Sequence, residues 1–102
     1  MTMRVALLAS QQPVEALTLG ARWAKAGDEV TVVLLDGATA ILRSGHAAAG
    51  ALTTARDAGV TIWAHDTALQ ERAVDGGATL TVVGLDRVAA LVGDAATKVQ
   101  WW

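Results

Sequence analysis

Residues 29–35 read EVTVVLL, and after Glu29 Thr31 is the sole polar side chain. A strand with one wet side alternates apolar and polar residues. This one does not, so it is covered on both faces, the habit of a parallel sheet sandwiched by helices. Four other stretches have a similar character: RVALLA (4–9), GVTIWA (59–64), TLTVVGL (79–85) and the closing KVQWW (98–102).

The intervening segments are helical in pattern. In PVEALTLGARWAKAG, Val14, Leu17, Ala21 and Ala24 recur at helical spacing, Pro13 suits a first turn and Gly27 can end the helix. An Ala-rich segment over 38–58 is weakened as one helix by Gly45 and Gly50. DTALQERAV (66–74) forms a short helix with Asp66 or Thr67 as its cap, and Gly76–Gly77 break the chain. DRVAALVG is the last helix, stopping at Gly93. The order βαβαβαβαβ predicts a three-layer α/β/α fold: a single domain over residues 1–102 around a mainly parallel sheet of about five strands.

Composition narrows the function classes. Net charge is −2 with both signs interspersed, so no basic footprint for direct nucleic-acid binding is present. No apolar run reaches membrane-span length, and no basic amphipathic helix suits a membrane surface. MTMRVALLAS carries too short an apolar stretch for a signal peptide, so the expected location is the cytoplasm. There is no cysteine, which removes disulfides, thiolate metal sites and thiol-borne acyl or sulfur chemistry from this chain.

Ligands of open α/β sheets bind at the carboxyl ends of the strands. Those ends carry Ser10, Gln11 and Gln12, then Asp36, then His65 and Asp66, then Asp86. Ser10, Gln11, Asp36, His65 and Asp66 are the candidate ligand-binding residues. SQQPVE after the first strand is neither a P-loop nor a dinucleotide fingerprint. His46 and His65 have no metal-ligand spacing with Asp36 or Asp66, so neither a metal nor a cofactor is expected. His65 reads either as a proton donor at the sheet edge or as a polar loop residue starting a helix. Asp36–Gly37 reads equally well as ordinary turn chemistry, and Trp23 and Trp63 as packing residues.

Three segments together resemble the DsrE/DsrF/DsrH sulfur-relay superfamily. AGDEVTVVLLDGATA (26–40) resembles its step into an apolar strand. GVTIWAHDTALQERAV (59–74) resembles its third strand and following short helix, with Arg72–Ala73 where the family has Arg–Gly. LTVVGLDRVAALVGDAATKVQWW (80–102) resembles the close of the DsrH (TusB) branch, a last strand ending in tryptophan. The resemblance implies subunits that assemble with DsrE- and DsrF-like paralogues. Such complexes pass sulfur toward 2-thiouridine in tRNA or in sulfur oxidation. It places His65 near the position of the family's carrier cysteine. The implied role is a non-catalytic, cysteine-free subunit. The alternative is a stand-alone homo-oligomeric ligand binder or enzyme using the Ser10/Asp36/His65 edge.

Trp101 and Trp102 close the sequence with a large apolar surface. Either the rings seal the chain's own core, or they anchor an interface with a paralogue or a second copy; the reading adopted is the interface. A mean hydropathy of +0.39 fits a chain that hides surface in an oligomer.

Overall fold

The computed structural model describes residues 3–36, 38, 41, 49–65, 81–94 and 96–102. In chain order its elements are β1 (Arg4–Ala9), α1 (Pro13–Lys25), β2 (Glu29–Leu34), α2 (Ala49–Asp57), β3 (Thr61–His65), β4 (Thr81–Val83), α3 (Leu85–Gly93) and β5 (Thr97–Trp101). The strands form one all-parallel, five-stranded sheet in the order β4-β3-β2-β1-β5. The α/β architecture expected from the sequence is the one observed. The expected helix over 66–74, with its Asp66 cap, and the segment 42–48 lie outside the described residues.

Strand order and the handedness of crossovers set the layers. From β1 to β2 to β3 the chain always steps the same way across the sheet, so right-handed connections put α1 and α2 on one face. From β4 to β5 it returns across β1, which sends α3 to the opposite face. The core divides accordingly. Val5, Leu7, Ala9, Val30, Val32, Leu34 and Ile62 pack under Ala16, Leu17, Ala21 and Ala55. On the other side Leu8, Val33 and Val83 pack under Val88, with Leu35, Trp63, Leu91 and Val99 partly covered. Residues 5–9 of β1 are buried throughout, as a central strand between two helix layers should be.

Two helix exits are built alike. After α1, Gly27 adopts φ +104°; its amide bonds to the Ala24 carbonyl, and the Asp28 amide to that of Trp23. After α2, Gly59 adopts φ +100°, with its amide bonded to Arg56 and the Val60 amide to Ala55. Both are Schellman closures, which need the left-handed region that glycine enters freely. Gly59 and Val60, expected in a strand, are therefore the end of α2, and β3 starts at Thr61. Leu85 likewise leaves its expected strand to open α3.

Candidate functional site at the carboxyl edge of the sheet

Register brings three of the expected residues to one edge. Leu34 pairs with Ala9 on one side and Ala64 on the other. The next positions, Ser10 and His65, therefore flank Leu35, with Asp36 one residue further on. Ser10 and His65 are half-buried, whereas Gln11, Gln12 and Asp36 are exposed. Ser10 and His65 stand on strands separated by β2, so their main chains are about 10 Å apart at the usual strand spacing. Asp36 has φ +47°, a conformation that Asp tolerates better than most non-glycine residues. Asp66 lies outside the described residues.

The loop after β1 is already occupied by the chain itself. The amides of Ser10, Gln11 and Gln12 point at the main-chain oxygen of Trp102, at 3.2, 3.2 and 3.1 Å, while the Trp102 amide donates to Leu8 at 2.7 Å. In other α/β sheets such a convergence of amides before a helix receives a phosphate or carboxylate. Here it receives the main-chain oxygen of Trp102. Gln12, at the N-cap of α1, adds no side-chain cap, and the amides that Trp102 takes belong to the residues leading into the helix rather than to its first turn.

The two terminal tryptophans have different environments. Trp102 is half-buried and packs on the large core beneath α1, with its indole nitrogen buried and without a hydrogen-bond partner in the protein. Trp101 is 68% exposed. It pairs with Leu8, which puts it on the α3 face of the sheet.

Three surface clefts among the described residues lie away from the edge residues. One of about 380 Å³ runs between α1 and α2, with Leu17, Ala21 and Ala51 beside Arg22 and Lys25. A second, of about 450 Å³, lies along α1 between Val14, Leu19 and Trp102. A third, of about 220 Å³, sits below α3 at the amino end of the sheet, beside Arg4, Glu29 and Asp94. None of the three includes Ser10, Asp36 or His65. Among the described residues no cluster of three His, Asp or Glu side chains could hold a metal, and no helix is long and apolar enough to cross a membrane.

Among the described residues the carboxylate with a shifted pKa, Asp94, sits at the amino end of the sheet. Asp94 accepts the Ala96 amide at 2.9 Å and Arg4 at 3.5 Å. The amide first, and the guanidinium with it, hold its carboxyl below the ordinary 3.8. Arg4 also binds Glu29 at 3.1 Å. This trio ties β1, β2 and the α3–β5 turn together at the end of the sheet opposite Ser10, Asp36 and His65. Reasoning from sequence also missed an exposed apolar side of α3: Leu85 is 67% and Val92 37% exposed. The signal was present, since DRVAALVG holds only two polar residues.

The fold places the chain in a class of small, single-sheet parallel α/β proteins. No protein-family model matches the chain, and no curated protein does. Among solved structures it is similar to MTH1491 of Methanobacterium thermoautotrophicum, a protein of unknown function. The TM-score is 0.73 at 17% identity, over 96% of this chain and 99% of that one. At that identity the likeness is one of fold.

Proposed function

We propose that this chain is a non-catalytic subunit of a sulfur-relay complex, resembling the DsrH (TusB) branch and working beside persulfide-carrying DsrE- or DsrF-like partners. The observation that carries the reading is what stands at the end of β3. There, at the carboxyl edge of the sheet, the resemblance expects a carrier cysteine and this chain has His65. Imidazole cannot form a persulfide, and no cysteine occurs elsewhere in the sequence. Sulfur therefore passes on a partner's thiol, and this chain contributes surface and position. Two further features support a subunit over a free-standing enzyme. The amides after β1 are engaged by Trp102, and a large aromatic ring, Trp101, stands exposed.

The test is purification of the tagged chain from its own host at native mass, with mass-spectrometric identification of what accompanies it. The expected result is stoichiometric company from small cysteine-bearing α/β proteins that accept a persulfide from a sulfur donor. Isolation of the chain without such partners would overturn the assignment and move attention to the Ser10/Asp36/His65 edge.

A further inference from the structure

No further inference is drawn: the strongest candidate, the cleft of about 380 Å³ between α1 and α2 where Arg22 and Lys25 stand beside Leu17, Ala21 and Ala51, carries nothing, because both cations lie in the last turn of α1, where the negative end of the helix accounts for them, and nothing in the structure shows what occupies it.

Discussion

Replacing Trp102 by alanine removes a ring packed on the large core but leaves its main-chain bonds to Leu8, Ser10, Gln11 and Gln12. For a half-buried ring the cost should be about 2–3 kcal/mol, below the range for a fully buried aromatic. Trp101→Ala, at a position 68% exposed, should change the stability of the dilute monomer by no more than about 0.5 kcal/mol. Urea unfolding of the two variants at low protein concentration checks the contrast; equal losses would show that both rings belong to the core. The difference was not legible from the residues QWW alone. Successive side chains of a strand point to opposite faces, but which face is covered depends on which way the crossovers run. Ser10, Asp36 and His65 were legible as residues of one edge because each ends or follows a strand. That Trp102 takes up the amides after β1 was not, since nothing local links residue 102 to residue 10.

Elements were easier to read than their ends. β1 matched its apolar run residue for residue, and α1 began at Pro13 as expected. The misplaced boundaries, Gly59–Val60 and Leu85, occur where a helix abuts a strand and both favour the same apolar residues. Gly20, in mid-helix, shows what propensity alone misses. A Cβ there would stand 3.2–3.4 Å from Val30, Val32 and Leu7, so glycine lets α1 settle onto β1 and β2. Leucine at Gly20 would gain about 1 kcal/mol in helix propensity and lose more in overpacking, for a net destabilisation of about 2 kcal/mol. Gly50, in α2, has open space around its would-be Cβ, so Gly50→Ala should be neutral or slightly stabilising. Thermal unfolding of the pair checks this; a Gly20→Leu protein as stable as the parent would show that α1 is not seated through that contact.

Over the whole molecule, the sheet order β4-β3-β2-β1-β5 makes the last strand the neighbour of the first, so the turn after α3 must be held at the amino end of β1. Arg4 does this by joining Glu29 and Asp94, while Asp94 also accepts the Ala96 amide. The Asp94 carboxyl is held below its ordinary 3.8 in the folded protein, by that amide above all. A carboxyl with a depressed folded pKa binds its proton more readily in the unfolded chain. Its contribution to stability is therefore complete above the unfolded value, near 3.8, and disappears as pH falls through the lower, folded one. Asp94→Asn cannot ionise, so the gap in urea midpoint between parent and variant should be widest at neutral pH and should close in acid below that value. Because Asp94 is solvent-exposed, added salt should trim the Arg4 share of the gap and leave the part due to the short Ala96 hydrogen bond. A gap that stayed constant from neutral to acid pH would mean that the carboxylate charge does not hold the turn, and that the geometry of the side chain alone closes β5 against β1.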